Sequence, residues 1–316
     1  MQRKIGIITP VKHIEGLYEL IESKGLVVFH TPDLKLERAP DLFRTSKVNT
    51  IICNPNKQTF VLNKESLGGS SIKTILTCST GLSHIDMKYC EENEIEVLSL
   101  TTDMGVINQL PSTAELAFIL MGNLLRKIPQ ATKHTIKTGN WNYEPFIGRQ
   151  IKGLKVGIVG YGRLGKMMRK FCDGFEADVK FYDPYVSYIN TPDGMQLNSL
   201  EEMFAWADVV SLHVHLNEET ERMIDSKLLN IPQKQFYLVN TSRGGIVCEP
   251  SVVEALLSGK LTGYATDVII SEEGSGNGSI VQKTNCIHDG IIITPHIGGM
   301  TYEGQEFAYK AAVNKL

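Results

Sequence analysis

The chain has 316 residues, is 42% hydrophobic and 21% charged, and carries a net charge of −3. That length suggests two domains with ordinary hydrophobic cores. The charge argues against a general electrostatic affinity for nucleic acid, and no apolar run approaches the roughly 20 residues that span a bilayer.

The amino-terminal MQRKIGIITP runs straight into strand-like sequence and does not read as a signal peptide. Cysteines at 53, 78, 90, 172, 248 and 286 make no C-x-x-C pair. They read as reduced core thiols of a cytoplasmic protein, and no metal site is expected.

The first hundred residues alternate. A strand is expected over Ile5 to Thr9, followed by a helix up to Gly25 from the spacing of Ile14, Leu17, Tyr18 and Ile21. A strand over Leu26 to Phe29, a helix near Pro40 to Ser46 and a strand over Thr50 to Cys53 follow. Then come a strand over Ile72 to Thr77, a helix over His84 to Asn93 and a strand over Glu96 to Leu100. Such alternation implies a mostly parallel sheet covered on both faces. Without a glycine fingerprint, this segment reads as a doubly wound domain that does not hold a dinucleotide.

Ser112 to Ile128 is apolar on nearly every face and predicts a helix buried almost all round, against the other domain or a second subunit. Ser112 and Glu115 make a capping box at its start. A further helix over Ala131 to Thr138 is closed by Gly139.

Lys155 to Asp183 carries the sharpest signal. Val156, Ile158 and Val159 make a short apolar strand; Gly160, Gly162 and Gly165 form G-x-G-x-x-G, with Arg163 and Leu164 between the last two. Leu164, Met167, Met168 and Phe171 recur at helical spacing, and a strand over Val179 to Tyr182 ends in Asp183. Gly160 permits the tight turn, Gly162 lets a pyrophosphate approach the backbone, and Gly165 lets helix and strand pack closely. The pyrophosphate belongs on the helix N-terminus. Asp183 accepts from the adenosine ribose hydroxyls. Its carboxylate repels a 2′-phosphate, and the next residues are Pro184 and Tyr185 rather than arginine, so NAD is favoured over NADP.

A helix over Leu200 to Trp206 and strands over Val209 to His213 and Phe236 to Asn240 come next. A helix over Pro250 to Ser258 leads to strands over Gly263 to Asp267 and Ile291 to Thr294. Six strands with crossover helices complete a dinucleotide fold. Ser271 to Gly278 reads as a mobile loop. Tyr302 to Lys315 predicts a helix that crosses back to the first domain.

Three strand ends offer chemistry. In Asn240 to Val247, Arg243 can clamp a carboxylate or carbonyl with two parallel hydrogen bonds; the competing reading is a surface arginine with a structural partner. Asp267 can bond the nicotinamide side of a cofactor. Glu272 and Glu273 read as a solvated acidic loop, with Glu272 alternatively a partner for His296. That histidine, after Pro295, is either structural or a proton donor whose cationic form Glu272 holds.

These sites, in this order, resemble the D-isomer-specific 2-hydroxyacid dehydrogenases over most of the chain. The shared pattern is the glycine motif, Asp183, Ser242-Arg243-Gly244, Asp267-Val268 with Glu272, and Pro295-His296-Ile297-Gly298. Ser79 to Asp86 resembles the family's loop that binds the substrate carboxylate through backbone N–H groups, which makes Ser79, Thr80, Gly81 and the nearby Asn54 substrate candidates. Asn108 to Glu115 is similar to the start of the family's long interdomain and dimer helix. His213 to Thr220 matches a stretch usually reading H-x-P-L-x-x-x-T, with His215 in place of the proline, which implies a slightly altered adenosine edge.

The resemblance implies an α/β protein of two doubly wound parallel-sheet domains: a flavodoxin-like substrate domain over residues 1–107 with 300–316, and a Rossmann domain binding NAD over residues 108–299. It implies Gly160, Gly162, Arg163, Leu164, Gly165, Asp183, Pro184, His213, Thr241 and Asp267 at the cofactor, and a homodimer through the 112–128 helix. It implies hydride transfer to a 2-keto acid, with Arg243 on its carboxylate, His296 as proton donor, Glu272 holding His296, and domain closure excluding water. Cys53 to Lys57, reading CNPNK, carries one cation where family members acting on a phosphorylated acid carry arginines, which favours a small unphosphorylated polar acid. Family members usually continue past the point where Leu316 stops. Two competing readings are an NAD(H)-sensing corepressor-like protein on the same fold and a formate dehydrogenase. The second has glutamine where Glu272 stands.

Overall fold

In the computed structural model, residues 2–55, 60–186, 194–270, 272, 278–284 and 289–316 are described. Asn56, Lys57, Glu273, Cys286 and most of the glycine-rich stretch 271–278 lie outside them. The chain divides into two compact units, Met1–Leu110 with Gly299–Leu316, and Pro111–Gly298.

In the first unit, strands β1 (Lys4–Ile7), β2 (Leu26–His30), β3 (Thr50–Cys53), β4 (Thr74–Thr77) and β5 (Glu96–Leu98) form a parallel sheet in the order β2-β1-β3-β4-β5. That is the flavodoxin-like doubly wound order. Helices α1 (Leu17–Lys24), α2 (Ala39–Ser46), α3 (Lys64–Leu67), α4 (Met87–Glu92) and α5 (Met104–Ile107) connect or follow the strands. Period-2 alternation sends side chains to two cores: Ile52 and Leu76 pack with Ile5 and Ile7 on one face, while Ile51, Cys53 and Ile75 pack with Phe43 on the other. Each such side chain stabilises by about 1.5–3 kcal/mol on burial, so a one-residue slip of register would be costly.

The second unit opens with α6 (Ser112–Arg126) and α7 (Ile128–Thr138). Strands β6 (Lys155–Val159), β7 (Asp178–Tyr182), β8 (Val209–Leu212), β9 (Phe236–Asn240), β10 (Leu261–Thr266) and β11 (Ile291–Ile293) form a parallel sheet ordered β11-β10-β9-β8-β6-β7. Helices α8 (Arg163–Gly174), α9 (Leu200–Trp206), α10 (Ser226–Leu229), α11 (Glu249–Leu257) and α12 (Ile280–Thr284) are the crossovers. Beyond β7, a single parallel bridge pairs Phe181 with Gln196, a third Rossmann strand reduced to one residue. The order reverses between β6 and β8, the crevice where such sheets bind ligands. The last helix, α13 (Tyr302–Val313), packs on α1 and α5 of the first unit. There the Tyr309 and Thr9 hydroxyls meet at 3.0 Å, and Lys315 pairs with Asp103 at 3.0 Å.

Several expectations need correction. Ser112 does not cap α6: the N-cap position is Pro111, whose carbonyl takes the N–H groups of Ala114 and Glu115, and no side chain caps the turn. Proline's fixed φ already suits the helix start, which absorbs Ser112 into the first turn. Within a single chain the helix keeps part of its surface uncovered. Ala117, Leu120, Met121, Leu124 and Leu125 pack with the sheet, while Glu115, Ile119 and Arg126 keep one stripe exposed. It ends at Lys127, which takes a left-handed conformation, and α7 then starts three residues before the expected Ala131. Of the apolar positions read on α8, Met168 is core, whereas Leu164, Met167 and Phe171 are only half-buried. No helix among the described residues is long and apolar enough to cross a membrane.

Candidate active site

The candidate residues of the second unit stand at the carboxyl ends of its strands: Gly160 after β6, Asp183 after β7, His213 after β8, Thr241 after β9, Asp267 after β10 and Thr294 after β11. Gly160 has φ 90°, and a Cβ there would meet the His213 carbonyl at 2.6 Å. A Cβ on Gly165 would meet the Gly160 carbonyl oxygen at 2.1 Å, so α8 approaches β6 only with glycine at that place. Gly162 faces open space, the room a pyrophosphate needs against backbone N–H groups. Asp183 receives the Tyr161 N–H at 2.8 Å on one carboxylate oxygen and the Tyr185 N–H at 2.9 Å on the other. Each oxygen keeps a second lone pair, which fits a ribose diol. Gln196, on the reduced third strand, donates to the Asp183 carbonyl at 3.1 Å. Sequence reasoning did not single out Tyr161 or Gln196, since neither position has a pattern of its own.

His213 and Thr241 also fit a polar ligand. Thr241 Oγ1 and His213 Nδ1 are buried and find no hydrogen-bond partner among the described residues. His213 Nε2 lies 2.9 Å from Ser211 Oγ. Burial pushes this imidazole down to about 4, so it is neutral at neutral pH.

On the other side of the crevice, His296 Nδ1 lies 2.6 Å from Glu272 Oε2, and the two side chains are similarly half-buried. Glu272 Oε1 accepts the Ile269 N–H at 3.0 Å. His296 has φ 53°, an uncommon conformation for a residue with a Cβ. Its N–H is shared by the Asp267 and Thr294 carbonyls, each at 3.0 Å. Asp267 builds the turn that carries the histidine. Its carboxylate, 2% exposed, takes Thr294 Oγ1 at 2.5 Å, the Ile297 N–H at 2.8 Å and the Gly298 N–H at 2.7 Å. Three of about four acceptor positions are thereby used. Burial raises this carboxyl above its usual range, and the Thr294, Ile297 and Gly298 donors oppose that rise. Thr294 was not foreseen; only its place before Pro295 hinted at it.

Arg243 lies after β9, half-buried, with Nη1 2.6 Å from its neighbour Ser242's carbonyl. The turn beneath it is set by Asn240, whose side chain takes the Ser242 N–H at 3.0 Å and donates to the Arg243 carbonyl at 2.9 Å. Ser242 Oγ bonds the Leu212 carbonyl, tying this turn to the neighbouring strand.

In the first unit, Asn54 and the 79–81 loop follow the paired strands β3 and β4. Asn54 is buried with Nδ2 3.5 Å from the Cys78 carbonyl. The Ser79 hydroxyl is engaged by Thr77 at 3.0 Å and donates to the Gly81 carbonyl at 2.8 Å, so it shapes the loop. Thr80 is exposed. The backbone N–H groups of Thr80 and Gly81 make no hydrogen bond among the described residues.

Comparison with known proteins gives the family and the fold. Residues 118–298 match the family model described as D-isomer specific 2-hydroxyacid dehydrogenase, NAD binding domain. The chain is 32% identical over 236 residues to a D-3-phosphoglycerate dehydrogenase of Archaeoglobus fulgidus, covering 74% of this chain and 43% of that protein. It is 31% identical over 248 residues to a hydroxypyruvate reductase of Thermotoga maritima, covering 78% of each. The chain thus spans under half the length of the first relative. Its fold matches the crystal structure of a D-lactate dehydrogenase from Aquifex aeolicus complexed with NAD and lactic acid, with a TM-score of 0.80, 24% identity, and coverage of 99% of this chain and 94% of that one.

Proposed function

The chain belongs to the D-isomer specific 2-hydroxyacid dehydrogenase family, with an NAD-binding domain over residues 118–298, and from that premise we propose that it transfers a hydride between NAD and a small 2-keto or 2-hydroxy acid of the D series. The observation that carries this reading is the His296–Glu272 pair, 2.6 Å apart at the strand ends of a sheet whose glycine turn fits a dinucleotide.

The residues divide the work. Gly160, Gly162, Arg163, Leu164 and Gly165 hold the pyrophosphate, Asp183 and Pro184 the adenosine ribose, and His213, Thr241 and Asp267 the remaining strand-end contacts. Bound NAD(H) supplies or accepts the hydride. Arg243 binds the substrate carboxylate and polarises the keto oxygen. With Nδ1 committed to Glu272, the proton moves at His296 Nε2: to the keto oxygen in reduction, from the hydroxyl in oxidation. Glu272 orients the ring and stabilises its cation.

The 79–81 loop binds the carboxylate through the Thr80 and Gly81 N–H groups, with Asn54 behind it. A small unphosphorylated acid is the substrate class. The five described cysteines are free and buried, which supports a reducing, cytoplasmic compartment. A homodimer through α6 extends to the α7 region, where Ile136, Trp141, Tyr143 and Ile147 are exposed.

NADH and NADPH consumption is followed with a panel of 2-keto acids. Turnover with NADH on at least one of them is expected; none on any would overturn the reading. Light scattering is expected to give twice the chain mass, and Trp141→Asp to lower it to a single chain.

A further inference from the structure

Glu249, at the first turn of α11, is 3% exposed and lies outside the residues given a role above. No ion pair among the described residues includes it, so hydrogen-bond donors alone compensate its buried carboxylate. They come from both sides of Glu272 in the chain. Ile270 N–H reaches Oε1 at 3.0 Å. From beyond Glu272, Ser279 Oγ lies 3.0 and 2.9 Å from the two oxygens, and the Ile280 and Val281 N–H groups reach Oε2 at 2.9 and 3.5 Å.

The neighbouring amide, Ile269 N–H, goes to Glu272 itself at 3.0 Å. The next peptide, between Ile269 and Ile270, packs on the Arg243 turn. A Cβ on Gly244 would fall 2.2 Å from the Ile269 carbonyl carbon and 2.6 Å from the Ile270 nitrogen. The two consecutive peptides on either side of the Ile269 Cα therefore touch the arginine turn, the glutamate that pairs with His296, and the buried carboxylate of Glu249.

We propose that Glu249 is a positioning residue that pins the backbone on both sides of Glu272 and thereby holds the Glu272 carboxylate against His296. It touches neither substrate nor cofactor, and the proposal rests on the reading of His296 and Glu272 as the acid–base pair. Glu249→Gln keeps the shape but turns an NH2 toward backbone N–H donors, so at least one anchor is lost.

The test is a double-mutant cycle of Glu249→Gln and Glu272→Gln, with a crystal structure of the first variant. Glu249→Gln alone is expected to lower kcat by about tenfold or more, because small misplacements at a reacting centre are costly. KM and the NADH dissociation constant should stay within about twofold. In the Glu272→Gln background the same change should cost less than about twofold, since residues acting as one unit are not additive. An equal loss in both backgrounds would mean a merely structural role and would overturn the proposal, as would a loss below about twofold in the parent chain.

In the crystal, the His296–Glu272 separation is expected to open beyond roughly 3.5 Å, outside hydrogen-bond range. A distance still near 2.6 Å overturns the proposal even if wild-type protein turns over no 2-keto acid, an outcome that would by itself sink only the proposed activity. Should Glu249→Gln fail to fold, Ser279→Ala removes one anchor and should give a smaller loss of the same sign, again absent without Glu272.

Discussion

His213 makes the unit that carries the cofactor site sensitive to acid. It follows β8, where Nδ1 is buried without a partner among the described residues and burial lowers the imidazole from 6.5 to about 4. Because the folded value is depressed, an unfolded chain takes up a proton below pH 6.5 that the folded chain refuses. The associated stability is therefore intact above pH 6.5 and is lost as pH falls toward 4. At about 1.4 kcal/mol per pH unit, the loss between pH 7 and pH 5 is about 2 kcal/mol. Both tryptophans, Trp141 and Trp206, lie in the 111–298 unit, so their fluorescence reports that unit's urea transition. With a slope of about 2 kcal/mol per M, the midpoint should drop by about 1 M between the two pH values. Other groups titrate in the same range, so the decisive comparison is with His213→Asn, which should lose about 2 kcal/mol less than the parent over the same interval. The measurement is made without cofactor, whose binding would add its own stabilisation. Equal losses in the two proteins would refute the view that burial holds His213 neutral.

Three further outcomes follow from the same geometry. His296→Asn should lower kcat by about 10² or more while NADH binding, read by fluorescence, stays near the parent value; retention of a third of the activity would remove His296 from proton transfer. Gly165→Ala places a Cβ 2.1 Å from the Gly160 carbonyl oxygen and must push α8 from β6, costing about 1–3 kcal/mol in a urea melt and weakening NADH binding; a neutral substitution would contradict the close packing. Asp183→Ser removes the carboxylate that repels a 2′-phosphate, so the NADPH-to-NADH ratio of kcat/KM should rise about tenfold or more, equivalent to about 1.4 kcal/mol; an unchanged ratio would assign the discrimination elsewhere.

The buried strands were the legible part of the fold. β3 and β9 occupy the residues their apolar runs imply, because short runs made mostly of β-branched, aromatic and other apolar residues suit a strand covered on both faces. Single-turn helices were not legible by periodicity: α3, α5 and α10 have four residues each, too few to show a 3.6-residue repeat. Their trace was in the caps instead. Asn63, Asp103 and Asp225 each accept the backbone N–H groups of the turn that follows. The reduced third strand left no trace at all, since one bridge at Gln196 needs no pattern.

At the site, residue types were legible and their partners were not. His296 and Glu272 are twenty-four residues apart in the chain, and nothing local requires them to meet; order and family pattern supplied that expectation. Asp267 shows the opposite case. An acid at a strand end suggested a donor-seeking group open to a nicotinamide. The chain instead curls back after Pro295, so that Ile297 and Gly298 present their N–H groups to the same carboxylate. Only one acceptor position is left over, so any cofactor contact made by Asp267 is made by a group already committed to shaping the histidine turn. Its substitution would therefore move His296 as well as any ligand.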